Sequence, residues 1–308
     1  MIGFGWYKSY PNEVVCVAIL LWILEKCIKK QKYAMLLFPF SFLVINLRIY
    51  YAVLYAGIVV VYSLVRFYMK ARRHRIRGIM KELGAIIISC GISAFAWLPN
   101  FISVLNSERI NSVVSGGIIQ NTDMIINGTL LKEAFMRVLS PNIYGQFENY
   151  LGTGNYVDSP CFYCGILCVV VCPVAILVKN KRQRNGLIVM LAGAAIYIMF
   201  PKVVYLLNAF SKDTYKLSSL WISIVILVCA AYGLRELFDL NIWGTWIARG
   251  ISLISIGILL YYWKLQKNNM DNMNASLCIL FLAIYLIIFI MKNPTQKWAE
   301  REKNILLA

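Results

Sequence analysis

Residues 275–292 read ASLCILFLAIYLIIFIMK, with no charge before the last residue and neither glycine nor proline. A helix needs ~20 mostly apolar residues, at ~1.5 Å each, to cross the hydrocarbon core of a bilayer. Working outward from this stretch, apolar segments recur at roughly 13–28, 33–47, 49–68, 83–104, 160–178, 186–207, 217–234 and 248–263. That makes nine, or eight, since the first two are short and the second is interrupted by Pro39. Of 308 residues, 60% are hydrophobic and 15% charged, and the mean hydropathy is +0.67. Ordinary soluble domains run at ~45–50% apolar and ~25% charged. These values exclude a soluble globular domain, a disordered chain, a coiled coil and a small disulfide scaffold. The expected fold is an all-α polytopic bundle of about nine transmembrane helices, one transmembrane domain over residues 1–308.

Lysine and arginine number 31 against 14 acidic residues, a net charge of +17. In a soluble chain that excess would suggest nucleic acid. Here the basic residues sit in short connections, where they set helix orientation. Alternate connections carry Lys26, Lys29, Lys30 and Lys32, then Arg66 to Lys81, then Lys179 to Arg184, then Arg235 and Arg249, then Lys292 to Lys303. The alternation predicts an outer N-terminus and a cytoplasmic C-terminus, with no nucleic-acid partner. Residues 1–13, MIGFGWYKSYPNE, lack a basic n-region and an apolar h-region, so no cleavable signal peptide is expected.

Residues 105–159 form the one long connection and fall on the expected outer side; a loop of that length is usually functional. Within it, TLLKEAFMRVLS (129–140) has apolar residues at 130, 131, 135, 138 and 139, the spacing of an amphipathic helix lying on a leaflet. PNIYGQFENYLGTGNY follows, rich in glycine, asparagine and tyrosine, and reads as a shaped, partly buried loop. The polar LNAFSKDTYK (207–216) faces the same compartment. Chemistry is expected where these two loops meet.

The outer connections hold Glu108, Arg109, Asp123, Lys132, Glu133, Arg137, Glu148, Asp158, Lys202, Lys212, Asp213 and Lys216. A carboxylate there can take a proton from an acceptor hydroxyl, and a basic side chain can hold a lipid phosphate. Candidate acids are Asp123, Glu148 and Asp158; candidate phosphate or substrate ligands are Arg109, Lys202, Asn208, Lys212 and Lys216. Cys161, Cys164, Cys168 and Cys172 lie along one helix stripe. They read as small packing residues rather than metal ligands, because one helix cannot converge four thiolates on an ion. His74, the sole histidine, sits among arginines without a partner. Glu25 is expected to reach towards Lys29, and Asn127-Gly-Thr is formally a glycosylation sequon. No GxxxxGK[ST], strand-borne GxGxxG or HExxH occurs, so nothing points to nucleotide hydrolysis or zinc proteolysis.

Four stretches carry a resemblance: LLWILEKCIKK with NLRIYYAVLYAGIVVVYSLVRF; SAFAWLPNFISVLNSER; VLSPNIYGQFENYL running into SPCFYCGILCVVVCPVAIL; and FPKVVYLLNAFSKDTYKLSSLWISIVILVCAAYGL. Over residues ~12–240 the chain resembles the bacterial integral membrane protein family called YfhO, whose members look like glycosyltransferases of the GT-C type. Lys216 stands where that family has a basic residue before a helix. The resemblance implies a multi-pass protein of the bacterial cell membrane, in contact with membrane lipids. It would transfer a sugar from a polyprenyl-phosphate-linked donor to an envelope polymer such as teichoic acid, by displacement at the anomeric carbon.

No cofactor is evident, and a divalent metal is compatible with that chemistry. The family's key acid usually lies in its first outer loop, whereas this chain enters the pattern several helices late. It therefore reads as a partial member in which no residue inherits that role. The alternatives are a transporter of polysaccharide or lipid-linked sugar, and a non-catalytic membrane partner of a glycosyltransferase.

Overall fold

The computed structural model describes residues 9–30, 32–46, 49–69, 75–106, 126–152, 161–203, 214–238, 242–265 and 271–291. All regular structure among them is helical. The chain divides into two compact units, residues 1–126 with 195–220, and residues 127–194 with 221–308.

The first unit contains α1 (Ser9–Lys30), α2 (Leu37–Asn46), α3 (Ile49–Met69), α4 (Arg75–Ile92) and α5 (Ala94–Leu105). Its core takes Val17, Leu20, Leu24, Cys27 and Ile28 from α1, a stripe at helical spacing. Ile58, Val59 and Phe67 of α3 and Phe40 of α2 are buried with them. Serines make the polar links between α2 and α4: Ser41 Oγ donates to Ser89 O at 3.3 Å, and Ser89 Oγ to Leu37 O at 3.3 Å. The chain bends by 65° between α4 and α5. At the break the Ser93 hydroxyl returns to Ser89 O at 2.8 Å, and Trp97 Nε1 donates to Cys90 O at 2.9 Å. The hydroxyl adds to the backbone bond that Ser93 N already makes to Ser89 O at 3.1 Å, and the indole occupies a carbonyl at the break.

Glu25 departs from the sequence expectation. Its carboxylate does not go to Lys29 one turn away; it accepts from Arg66 Nη2 at 2.7 Å, from Arg66 Nε, and from the Tyr62 hydroxyl at 2.8 Å. The bidentate fork of arginine fits a carboxylate better than a lysine one turn along the same helix, and it ties α1 to α3.

The second unit contains α6 (Gly128–Leu139), α7 (Ile166–Val171), α8 (Lys181–Met199), α9 (Thr214–Phe238), α10 (Ile242–Leu265) and α11 (Asn272–Met291), of which α8 and α9 also extend into the first. Met136, Leu139, Ile143, Val170, Val171, Ala248, Leu259, Cys278 and Leu282 are among its core residues. Arg249, near the start of α10, donates through Nε and Nη2 to Phe289 O at 2.9 and 2.6 Å. That carbonyl belongs to the last turn of α11, where the helix cannot satisfy it and its dipole end is negative.

The outer face of α11 identifies the solvent. Leu280, Phe281, Ile284, Ile287 and Ile288 are exposed at helical spacing, while Ala275, Cys278, Leu282 and Phe289 are buried. A helix apolar all round, with its larger residues outward, suits hydrocarbon rather than water. Trp243 and Trp246 are exposed near one end of α10 and Tyr261 near the other, as interfacial aromatic residues are.

The count of nine spans is corrected. Among the described residues three helices are long and apolar enough to cross a membrane: Leu220–Phe238, Trp243–Lys264 and Asn272–Met291. A fourth is added if the bent pair Ile76–Ile92 and Ala94–Ser103 is one span. The segment at 33–47 falls short because a 3-10 turn, Tyr33–Leu36, precedes the ten-residue α2. The segment at 160–178 falls short because α7 gives way to a 3-10 turn, Cys172–Leu177, whose second residue is Pro173. The eight cysteines with described side chains are free thiols.

Candidate functional site

The helix expected at 129–140 is present as α6, but its charged residues do not lie on a solvated face. Glu133 and Arg137, one turn apart, are 3% and 2% exposed, whereas Leu131 and Phe135 are 40% and 51% exposed. The expected apolar stripe is divided, Leu131 and Phe135 outward and Leu139 in the core, and the charged pair is buried. Asn127 starts the helix by accepting from Thr129 N at 3.2 Å, so the sequon asparagine serves as an N-cap.

The buried charges are held by aromatic and backbone groups. The Tyr150 hydroxyl donates to Glu133 Oε1 at 2.7 Å. Arg137 Nε donates to Pro141 O at 3.0 Å, and its guanidinium carbon lies 5.7 Å from the Tyr150 ring centre. Lys132 Nζ sits 4.3 Å over the ring of Tyr262, within cation–π range. A Cβ added at Gly152 would run into Glu133 Oε1 and the Tyr150 hydroxyl, so glycine is what lets the backbone lie against this pair. Tyr144 is buried, and that burial, with Glu133, Tyr150 and Tyr262 around it, pushes its phenol above the ordinary tyrosine range. It therefore stays a protonated donor throughout the physiological range.

The chain after α6 folds back over this base. Gly145, at φ +83°, turns it. Gly145 N then donates to Asn142 O at 3.0 Å, and Leu151 N to Tyr144 O at 2.8 Å. The connection before α11 joins it, with Asp271 N donating to Ile143 O at 2.9 Å and Asn274 Nδ2 to Asn142 O at 3.2 Å. Between them is a cavity of about 370 Å³ lined by Gly145, Gln146, Asn149, Leu151 and Asp271. That volume lies within the ~300–1,000 Å³ of small-molecule sites. Asp271 caps α11: Oδ1 accepts from Met273 N at 3.0 Å, and Oδ2 accepts from Asn274 Nδ2 at 2.8 Å. A carboxylate has about four acceptor positions, so these bonds fix its direction and leave capacity for a ligand hydroxyl.

Of the residues singled out from sequence, Glu148 comes nearest to this cavity; it is exposed on the short turn Phe147–Asn149, between two lining residues. Lys202 is half-buried and belongs to the first unit. Lys216 lies in α9, its side chain outside the described residues. Arg109, Asp123, Asp158, Asn208 and Lys212 also lie outside the described residues, as do residues 207–213 of the second outer loop expected at the site. Asp271 and Asn274, before and in the first turn of α11, meet the long loop. Asp271 was not among the expected acids, although an Asp followed by polar residues before a long apolar run is the signal of an N-cap. Among the described residues no three His, Cys, Asp or Glu side chains are placed to hold a metal ion.

The family profile described as bacterial membrane protein YfhO matches residues 15–307 of the chain. No curated protein and no solved structure matches it.

Proposed function

The chain belongs to the YfhO family of bacterial membrane proteins, and from that membership we propose that it is a multi-pass glycosyltransferase of the cell membrane, acting on the outer face. The donor is a polyprenyl-phosphate-linked sugar and the acceptor an envelope polymer of the teichoic-acid kind. The cavity between the loop after α6 and the connection before α11 carries this reading. Its amides, Gln146 and Asn149, and the carboxylate of Asp271 are the side chains that suit sugar hydroxyls, each able to bond two neighbouring groups. We put the cavity on the outer side because Lys292, Lys297, Arg301 and Lys303 follow α11 and mark that end of the helix as the cytoplasmic one.

In this reading Asp271 accepts the proton of the acceptor hydroxyl as that oxygen bonds the anomeric carbon. The bond from that carbon to the phosphate oxygen breaks, and polyprenyl phosphate leaves with the electron pair. A positioned general base of this kind contributes about 10²–10⁴ in rate. Lys132, whose ammonium lies over the ring of Tyr262, is assigned to the leaving phosphate. Arg109, Lys202, Asn208, Lys212 and Lys216 remain the further candidates for that role, and Asp123, Glu148 and Asp158 for the acid. Glu133, Tyr150 and Arg137 position the floor without touching substrate.

The test is the sugar content of the envelope polymer in a strain lacking the protein. Loss of one sugar, restored by the wild-type chain and not by Asp271→Asn at equal protein level, is expected. An unchanged polymer in the deletion strain would dismiss sugar transfer.

A further inference from the structure

A second cavity of the second unit lies away from the one just described. It measures about 250 Å³, and its lining includes Lys179, Asn180, Gln183, Tyr232, Arg235 and Glu236. Glu236 is 6% exposed, and its Oε2 has no hydrogen-bond partner among the described residues. Burying a carboxylate oxygen without a donor is costly, so such a group on a cavity wall marks a place where a ligand or water supplies one. Around it the field is positive. Lys179 and Arg235 are exposed at the cavity, and α8 begins there, its cap Asn180 accepting from Arg182 N at 3.0 Å and Gln183 N at 3.4 Å. The N-terminal end of a helix adds to the attraction for an anion. A buried anion beside exposed cations calls for a ligand with both signs of charge: an N–H donor for Glu236 and an anionic group for Arg235 and Lys179.

The place in the fold says where that ligand comes from. Glu236 is two residues from the end of the membrane-length helix Leu220–Phe238, and Phe238 beside it is 72% exposed. The cavity therefore opens at the depth where phospholipid headgroups lie. We propose that this cavity binds the headgroup of an aminophospholipid, its primary ammonium donating to Glu236 and its phosphate held by Arg235 and Lys179. The site stands apart from sugar transfer and does not depend on it.

Three lipids separate the contributions in native mass spectrometry of the full chain in mixed micelles. Phosphatidylethanolamine has the N–H donor, phosphatidylcholine has the same charges without it, and phosphatidylglycerol has the phosphate alone. Wild type is expected to retain phosphatidylethanolamine roughly tenfold better than phosphatidylcholine, the scale of one hydrogen bond to a charged group. Glu236→Gln, nearly isosteric, should abolish that preference. Arg235→Gln, at an exposed position, should weaken all three lipids alike. Equal retention of phosphatidylethanolamine and phosphatidylcholine by wild type would overturn the proposal. So would a preference that survives Glu236→Gln, or lipid binding unmoved by Arg235→Gln. Displacement of the lipid by soluble phosphoethanolamine at equal concentration would overturn the assignment to a lipid, since it would mark a site for a free solute.

Discussion

The hydroxyl of Tyr150 lies 2.7 Å from Glu133 Oε1 and donates to it, across seventeen residues of sequence. Through this bond the loop that forms the cavity wall is fastened to the buried face of α6. The neighbours of Tyr150, Asn149 and Leu151, are cavity-lining residues. The position of the wall therefore depends on a charge that hydropathy alone would have put in water.

Tyr150→Phe keeps the ring over Arg137 and removes the donor. A hydrogen bond to a charged group is worth about 1.5–3 kcal/mol, so thermal unfolding in detergent should show a loss of that order. Loss of transfer activity should accompany it even below the melting range, because the wall is displaced.

Asp271 separates capping from chemistry. Asparagine is as good an N-cap as aspartate, whereas alanine costs about 0.5–2 kcal/mol. Asp271→Asn keeps the cap but loses the bond from Asn274 Nδ2, so it should melt slightly below the wild type, and Asp271→Ala lower still.

Gly145 adopts a backbone conformation that costs a residue with a Cβ roughly 1–2 kcal/mol. In addition, an added Cβ would meet the Asn149 carbonyl. Gly145→Ala should therefore destabilise by at least that amount and disturb the cavity, seen as faster proteolysis within residues 141–152.

Glu25 and Arg66 test the first unit. Both side chains are about one-fifth exposed, at 22% and 21%. Breaking a fully buried pair costs ~3–5 kcal/mol, and partial exposure lowers that. Arg66→Met alone should lower the melting temperature by more than Glu25→Gln combined with Arg66→Met, because only the single change strands the carboxylate.

How much was legible follows from what each signal measures. Long apolar runs at 217–234, 248–263 and 275–292 correspond to spanning helices because length and hydropathy are themselves the requirement for crossing a bilayer. The helix at 129–140 was legible from spacing, but not its inward face. Charges at positions 133 and 137 read as a solvated stripe unless Tyr150 and Gly152 are known to cover them. Segments 33–47 and 160–178 have apolar composition without continuity, and the breaks at Tyr33–Leu36 and Cys172–Leu177 are invisible to hydropathy. Glu25 was assigned its neighbour one turn away, while its partner lies 41 residues on. Asp271 escaped notice because a helix cap becomes a site residue only once a distant loop folds against it.

The most direct test of the account is transfer of labelled sugar from polyprenyl phosphate by purified protein in proteoliposomes, wild type against Asp271→Asn. The account predicts that the variant folds while its rate falls by at least ~100-fold, the lower range for loss of a general base. A variant that transfers sugar at the wild-type rate would contradict the assignment of the cavity as the catalytic site.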